Sequence, residues 1–321
     1  MSEIKLSKYN HFGKKINIAL IFPDKYKFGI ANLGHQTVYR LFNETQIFNC
    51  ERFYADNDDL RVCETRRFIT DFSVLAFSVC YELQLLYILR LLNKLNYLPL
   101  TKYSTNKRPL ILIAGALTFV NADILYDFAD LVYVGDLENK INNVCNDIEK
   151  IIENRRDSDD LIIEFNNKYK SINNSNIIEA YSLIVSDTSE FPNTALIELT
   201  RGCANNCAFC NTGAMRKQVR ITAADIVENY IEILKDNNIR KIGFIGSAVL
   251  AYPQLLNLLE NLLTYNFEFS FSSINLNHLT KDIIECLVKS GQNTITLAPE
   301  AGNSKMLKIM NKNIDFDKLF E

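Results

Sequence analysis

The sequence lacks the features that are typical of nucleic-acid-binding, repeat, secreted and membrane-spanning proteins. It carries 35 Lys and Arg against 38 Asp and Glu, and a net charge of −3 gives no support for a broad nucleic-acid-binding surface. No internal repeat is visible and no secretory signal opens the chain. The leucine-rich stretch 82–100 is interrupted by Arg90 and Lys94 and is too broken to span a bilayer. These absences predict a cytoplasmic globular protein.

Histidine is scarce and most of the cysteines are isolated, which limits the disulfides and metal sites that the chain could form. Eight cysteines are diluted over 321 residues, and this argues against a disulfide framework. Five of the cysteines stand singly and are expected to be packing residues. These are Cys50, Cys63, Cys80, Cys145 and Cys286.

The other three cysteines, Cys203, Cys207 and Cys210, lie within eight positions. Thiolates are soft ligands that select iron–sulfur clusters, zinc or copper(I). A short loop with three thiolates can hold three corners of a cubane and leave the fourth iron without a protein ligand. Structural zinc needs a fourth Cys or His, and the nearest candidates, His278 and Cys286, have no mate at ligand spacing. The spacing favours an iron–sulfur cluster, with zinc, a redox role or core thiols as alternatives.

Strands alternate with amphipathic helices around and after this cysteine loop. The pattern predicts strands at 195–200, 241–246, 267–274 and 293–298. Helices are predicted after each of them, the first opened by a capping box at residues 222–225. This alternation predicts a parallel sheet with crossover helices, whose ligands lie at the C-terminal ends of the strands. The cysteine loop follows such an end.

The N-terminal half repeats the alternation and is expected to form a separate α/β domain. Strands are predicted at 16–23, 73–79, 110–114 and 131–134, and helices at 29–43 and 82–96, as in a doubly wound, Rossmann-like sheet. The stretch 154–176 is rich in Asn, Asp and Lys. We therefore predict a first domain at 1–152, a polar linker at 153–180 and a second domain at 181–321.

The cysteine loop resembles the cluster loop of radical S-adenosylmethionine (SAM) enzymes, including the aromatic Phe209 directly before the third cysteine. The resemblance implies that Cys203, Cys207 and Cys210 bind a [4Fe–4S] cluster. It also implies that SAM chelates the open iron through its amino and carboxylate groups and is cleaved reductively to a 5′-deoxyadenosyl radical. The substrate and the residues that act on it are unknown, and an electron donor such as flavodoxin or ferredoxin is implied.

Further positions match the radical SAM pattern at the ends of later strands. The segment after the second strand takes the place of a Gly-Gly-Glu motif that meets the SAM amino group, although its Glu is absent. Asn275 stands where many relatives carry a basic residue that meets the SAM carboxylate, and Glu300 could bond the ribose hydroxyls. The residues implied in SAM binding are Phe209, Gly246, Ser247, Ser272, Ser273 and Glu300.

A loop after the first strand resembles the Asp-x-His-x-x-Gly loop of cobalamin (B12) binding domains. Here it contains Asp24, Tyr26 and Gly29, with Tyr26 in the place of the histidine. A neutral phenol, with a pKa of about 10, is a poor cobalt ligand. The resemblance therefore implies a radical SAM protein with an N-terminal B12-binding-like domain, which either binds cobalamin without a protein ligand or is an empty relative.

Radical SAM barrels usually have six strand–helix units, and about four are predicted before Glu321. The second domain is therefore expected to be a partial (β/α) barrel. A complementing C-terminal polypeptide, a longer gene or a remnant would each explain this. Three hypotheses follow: a radical SAM enzyme in which methyl or methylthio transfer and hydrogen abstraction are equally open, a non-catalytic cluster- or cobalamin-binding module, and a zinc-bound interaction protein.

Overall fold

A computed structural model of the chain describes residues 2–98, 108–172, 174–271, 274–312 and 314–315. The chain divides into two compact units. We call Ser7–Asn176 the N-terminal unit, and Met1–Leu6 together with Ile177–Glu321 the C-terminal unit. The first strand, β1 (Glu3–Lys5), belongs to the C-terminal unit, so that residues 1–6 lie outside the first domain as it was predicted.

The N-terminal unit is a doubly wound parallel sheet, as the sequence predicts. Its strands are β2 (Ile16–Phe22), β3 (Phe48–Tyr54), β4 (Val74–Ser78), β5 (Leu110–Ala114) and β6 (Leu131–Val132). They lie in the order β3-β2-β4-β5-β6, so that successive strands are added on one side of β2 and then, from β4 on, on the other. Ligands of such sheets bind at the carboxyl ends of the strands beside this switch in strand order. The α-helices are α1 (Tyr26–Ile30), α2 (Leu33–Glu44), α3 (Gln84–Lys94), α4 (Ile141–Glu153) and α5 (Asp159–Tyr169).

Residues 153–180, predicted to be a polar linker, differ from that expectation. They contain α5, whose Phe165 and Tyr169 side chains are buried. The Asn166 side chain accepts a hydrogen bond from Val132 N at 2.9 Å and donates one to Asp130 O at 2.8 Å, which fixes α5 to β6. Few of the residues in α5 are apolar and buried, and many are polar. A prediction from composition therefore misses the helix. The units divide after Asn176.

The C-terminal unit contains a four-stranded sheet, whose strands are β8 (Ala195–Arg201), β9 (Arg220–Ile221), β10 (Lys241–Gly246) and β11 (Glu268–Phe271). Their order in the sheet is β11-β10-β8-β9. Strands β8, β10 and β11 are parallel and β9 is antiparallel to β8. A separate strand, β7 (Ile184–Ser186), pairs antiparallel with β1. In the described part of this unit the sheet is open and is not closed into a barrel.

Three helices of the C-terminal unit, at residues 224–236, 255–264 and 281–289, contribute to the core that buries one face of this sheet. Ile197 and Leu199 of β8 belong to the same core as Val227 and Leu234, whereas the alternation of strand side chains places Glu198 and Thr200 on the opposite face. The helices are α6 (Asn211–Met215), α7 (Ala224–Asp236), α8 (Leu255–Thr264), α9 (Lys281–Lys289) and α10 (Ser304–Ile309). Within the described ranges, no helix of either unit is long and apolar enough to cross a membrane.

Two sequence predictions about this unit are wrong. Residues 293–298 do not form a full strand: they contribute an isolated parallel bridge from Leu297 to Ile274, and Thr296 O accepts a hydrogen bond from Ile274 N at 3.1 Å. The capping box at 222–225 is also not formed. Thr222 is buried and its hydroxyl donates to Glu198 O, because it follows β9 in the sheet rather than starting a helix.

We expect the last segments of the C-terminal unit to be locally less stable than the central strands of the N-terminal sheet. Amides of residues 293–298 and of α10 should exchange with solvent quickly, because these residues are mostly exposed and the former contribute a single bridge. Amides of residues 16–21 and 110–113 should exchange slowly, since they lie in strands that are buried and paired on both sides. Hydrogen–deuterium exchange with peptide mass spectrometry measures both in one sample. Equal protection of the two sets would contradict the prediction.

Candidate functional site

A cavity of about 290 Å³ lies where β8, β10 and β11 end in the C-terminal unit. It brings together six of the nine residues that the sequence implies in the binding of the cluster and SAM. Asn275 also lines it, Gly246 directly precedes the lining residue Ser247, and the predicted site residues Ser272 and Ser273 lie outside the described residues. The predicted residues on its wall are Cys203, Cys207, Phe209, Cys210, Ser247 and Glu300.

A glycine sets the direction in which the cysteine loop leaves β8. Gly202 has a φ of +90°, and a Cβ atom there would lie 2.4 Å from Gln218 O. Directly after this turn, Cys203 N donates to Arg216 O at 2.9 Å, so that the loop is closed on the backbone that leads into β9. The close approach leaves room for no side chain at position 202.

The far end of the loop is held by the short helix α6. Cys210 is its N-cap residue, and Cys210 N donates to Cys207 O at 3.1 Å. A Cβ atom on Gly213 would lie 2.4 Å from Asn205 O, so that a glycine is required where α6 packs on the loop. The thiols of all three cysteines are thus carried on one short and locally bonded segment.

The three thiols are half-buried and line the same cavity. Burial raises the pKa of Cys207, with further contributions from the neighbouring Cys210 and Cys203, while the charge of Lys312 lowers it. Within the described ranges, no three side chains of Cys, His, Asp or Glu converge as the ligands of a single metal ion would. The thiolates of a cubane bind separate irons, so that they do not have to converge on one point.

Sequence reasoning missed a contact between the cysteine loop and residues 310–312, which follow α10. Met310 O accepts a hydrogen bond from Ala208 N at 2.9 Å, and the Asn311 side chain donates to Asn206 O at 2.8 Å. The ammonium of Lys312 lies 5.8 Å from the centre of the Phe209 ring. Three consecutive residues therefore touch the loop from a position about a hundred residues later in the chain.

Lys312 also joins this segment to Glu300. Its ammonium donates to Glu300 Oε1 at 2.9 Å and to Ala298 O. Both side chains line the cavity. Glu300 has a φ of +67°, a left-handed conformation that costs free energy in a residue other than glycine and that often marks functional sites. No signal in the sequence distinguishes Lys312 from the other lysines near it.

Thr200, which sequence reasoning also missed, positions the segment that carries Ser247. A Cβ atom on Gly246 would lie 2.4 Å from Thr200 Oγ1, so that a glycine is required at the end of β10. Thr200 is fully buried, and its hydroxyl accepts a hydrogen bond from Ala248 N at 3.3 Å. This contact across the sheet turns the segment after β10 towards the cavity.

In the N-terminal unit, the B12-like loop is packed around Tyr54. The ring of Tyr26 is buried and lies edge-on to the ring of Tyr54, with 4.9 Å between ring centres. A Cβ atom on Gly29 would lie 2.5 Å from Tyr54 Cε1. Asp24 accepts a hydrogen bond from the Tyr81 hydroxyl, and this bond, ahead of burial, raises the pKa of Tyr81 to about 12. The predicted Asp24, Tyr26 and Gly29 thus lie together at the carboxyl end of β2.

Sequence models of two protein families match the chain. A model described as radical SAM proteins, N-terminal, matches residues 34–172, and that of the radical SAM superfamily matches residues 197–321. The chain belongs to the radical SAM superfamily. The cofactors of this superfamily are a [4Fe–4S] cluster and SAM, as the resemblance of the cysteine loop implies.

Relatives of this radical SAM protein include one from Methanocaldococcus jannaschii, named uncharacterized protein MJ0966. The two are 23% identical over 307 residues, which are 93% of this chain and 63% of the relative. A tRNA-2-methylthio-N(6)-dimethylallyladenosine synthase of Chloroherpeton thalassium is 25% identical over 129 residues, 37% of this chain and 29% of that enzyme. The chain therefore spans less than two thirds of the length of either relative.

The radical SAM fold is also seen in the solved structure of the radical SAM methyltransferase TsrM from Kitasatospora setae, with tryptophan substrate and a SAM analogue bound. The TM-score is 0.59 at 12% identity, covering 95% of this chain and 64% of TsrM. A second TsrM structure, with cobalamin and a [4Fe–4S] cluster bound, gives a TM-score of 0.55 at 11% identity and covers 95% and 66%. At this identity the likeness establishes the α/β fold with its parallel sheets.

The turn at Gly202 offers a test of the loop in this radical SAM protein. Gly202→Ala should greatly lower the iron bound on reconstitution, because the new Cβ atom would displace the loop from Gln218 O. Gly291→Ala is the matched control: Gly291 also has a positive φ, of +91°, but nothing lies within 4 Å of a Cβ atom there. Iron analysis and thermal unfolding of both variants make the measurement. Full iron content in Gly202→Ala would show that the loop does not depend on this turn.

Proposed function

We propose that the C-terminal unit is the cofactor site of a radical SAM enzyme that cleaves SAM reductively and acts on a substrate still to be identified. The observation that supports the proposal is the convergence of the cysteine loop and the ends of the parallel strands on one cavity. Cys203, Cys207 and Cys210 would hold the [4Fe–4S] cluster, and SAM would occupy the cavity beside them. Soft thiolate donors suit iron in such a cluster.

The residues around the thiols suit the binding of SAM. When bound, the cluster supplies the electron that cleaves SAM. Phe209 is half exposed and projects beside the thiols, where its ring would exclude water from the adenine side. Ser247 and the backbone of residues 246–248, held by Thr200, would meet the SAM amino group. Glu300 would accept hydrogen bonds from the ribose hydroxyls.

We further propose that the reaction is a transfer of a methyl or methylthio group. The support is that the relatives by sequence include a tRNA-2-methylthio-N(6)-dimethylallyladenosine synthase, and that the chain shares its fold with a radical SAM methyltransferase. The acceptor in this protein is open. We place the protein in the cytoplasm, since eight cysteines spread over 321 residues do not form the dense disulfide framework of a small secreted protein. As the electron donor that the cleavage of SAM requires, we propose a flavodoxin or ferredoxin.

The test is anaerobic reconstitution with iron and sulfide, followed by incubation with SAM and a strong reductant. We expect about four irons and four sulfides per chain and formation of 5′-deoxyadenosine, detected by mass spectrometry. A cluster that binds SAM but yields no 5′-deoxyadenosine would favour the non-catalytic module. One zinc per chain and no iron would overturn the proposal in favour of a zinc-bound interaction protein.

For the N-terminal unit we propose that any cobalamin is bound without a protein imidazole. Tyr26 replaces the histidine of the B12-like loop and its ring is buried against Tyr54. His35, a few residues further on, is fully buried between Phe22 and Tyr54 and cannot reach a ligand at the surface. These contacts fit either a binding domain without a lower protein ligand or an empty one.

The expected result is a Co(II) cobalamin spectrum without nitrogen splitting from the protein. Electron paramagnetic resonance of the chain mixed with cobalamin reports this directly, because an imidazole ligand adds superhyperfine lines to the signal. Protein uniformly labelled with ¹⁵N is the control that separates protein nitrogen from solvent or buffer nitrogen. A splitting that changes with the ¹⁵N label would contradict the prediction.

A further inference from the structure

The carboxylate of SAM can chelate the open iron and still accept hydrogen bonds from a side-chain cation, but the position expected to supply that cation does not carry one. The family resemblance places a basic residue at position 275, but this chain has Asn275. The Asn275 side chain accepts a hydrogen bond from Asn277 N at 3.1 Å and caps the short helix that follows it. It is neutral and engaged locally. With three thiolates also in the site, a side-chain cation beside the carboxylate would offset the repulsion between these negative groups.

Lys312 supplies the missing charge from another part of the chain. Among the described residues that line the cavity, Lys312 is the only lysine or arginine. Its side chain is 19% exposed, so that its charge acts in a medium less polar than bulk water. It is held close to the thiols by the hydrogen bonds of Met310 and Asn311 to the cysteine loop. Its charge acts on Cys207.

The present partner of Lys312 is itself a carboxylate. Glu300 Oε1 accepts the hydrogen bond of the ammonium at 2.9 Å, and its backbone is in the left-handed region. A SAM carboxylate at the same ammonium would make the same kind of charge-assisted hydrogen bond. Exchange of one carboxylate for the other conserves this bond and frees Glu300 for the ribose hydroxyls.

We propose that Lys312 binds the carboxylate of SAM and gives up Glu300 when SAM enters. This inference rests on the proposed function of the cavity. It assigns the carboxylate contact to residues 310–312, which are bonded to the cysteine loop, rather than to the segment that follows β11. Binding of SAM would thereby couple the loop that carries the cluster to the loop that carries Glu300.

The test compares SAM with decarboxylated SAM, which has the same nucleoside and sulfonium but no carboxylate. Dissociation constants are measured for the reconstituted, oxidised protein by anaerobic equilibrium dialysis. Lys312→Met should reduce the preference for SAM over decarboxylated SAM at least tenfold, and Lys312→Arg should keep most of it. The matched control is Lys308→Met, the same change of charge at an exposed position of α10, which should leave the preference unchanged.

A double variant separates direct binding from repulsion by the carboxylate that Lys312→Met leaves behind. In Lys312→Met/Glu300→Gln the preference should stay low, because the ammonium is still missing. Restoration of the preference in the double variant, or equal losses for both ligands in Lys312→Met, would overturn the inference. Iron content and visible absorbance of every variant show whether the cluster is intact. If the wild type itself bound neither iron nor SAM, the proposed function would fail, not this assignment alone.

Discussion

Replacement of Cys203, Cys207 or Cys210 by alanine should abolish the bound cluster and its brown colour. Each thiolate would be the only protein ligand of one iron, and the three lie on a single short loop beside the cavity. The loss is expected to be complete for each variant, because the loop offers no fourth cysteine as a substitute. Iron and sulfide analysis after anaerobic reconstitution makes the measurement, with the visible spectrum as a second readout.

Two cysteines elsewhere in the chain provide controls. Cys63 is half-buried in the N-terminal unit, and Cys286 is buried in the core of the C-terminal unit. Alanine at either position should leave the iron content unchanged. Loss of iron in Cys286→Ala but not in Cys203→Ala would point to a different ligand set. Retention of a full cluster in all three loop variants would contradict the assignment.

The fold could be predicted where burial follows apolar sequence. Strand β2 is an uninterrupted apolar run apart from one Asn, and it lies inside a parallel sheet with a neighbouring strand on either side, as such runs indicate. Strand β3 was missed because Glu51 and Arg52 interrupt it, although every residue of the strand is buried. Arg52 Nε donates to Glu64 Oε1 at 2.6 Å, and Glu51 pairs with Arg67. Because of these ion pairs the charged side chains are buried, whereas a prediction from hydrophobic periodicity places charged residues at the surface.

In the candidate site, too, some residues could be predicted from the local sequence, whereas others are placed by contacts between segments that are distant along the chain. The cysteine loop and the residues that follow strand ends could be predicted, because neighbours in a motif stay neighbours in the fold. Lys312 and Thr200 could not, since their contacts join segments that are distant along the chain. The close backbone approach at Gly202 is likewise visible only once residues 216–218 are in place. A single sequence does not contain these pairings.

His35 is a buried polar group whose presence should make stability depend on pH. It is fully buried, and neither ring nitrogen has a hydrogen-bond partner among the described residues. Its ring lies 5.4 Å from that of Phe22 and 5.5 Å from that of Tyr54, measured between centres. Burial, with a smaller contribution from the charge of Arg52, lowers the pKa of His35 to about 3. The folded protein therefore keeps this imidazole neutral well below its ordinary pKa of about 6.5.

The sign of the effect follows from which state takes up the proton. Above pH 6.5 the imidazole is neutral in both states, and His35 adds no pH dependence. As the pH falls below 6.5, the unfolded chain binds a proton that the folded chain refuses, so that the free energy of unfolding decreases. At 1.36 kcal/mol per pH unit the loss is about 3 kcal/mol at pH 4.5 and about 4 kcal/mol at pH 3, where the folded state begins to bind the proton as well.

His35→Leu should remove this loss, because leucine has no proton to bind and leaves no unsatisfied nitrogen in the core. We expect the variant to gain about 3 kcal/mol over the wild type between pH 7 and pH 4.5, measured by urea denaturation followed by circular dichroism. His278→Leu is the matched control, since it removes an imidazole at an exposed position. The carboxylates titrate over the same pH range in every protein compared, so that their contribution to the pH dependence of the free energy of unfolding cancels when the two variants are compared. Parallel profiles for His35→Leu and the wild type would mean that His35 gains a proton in the folded state, and so that the N-terminal unit opens around this ring.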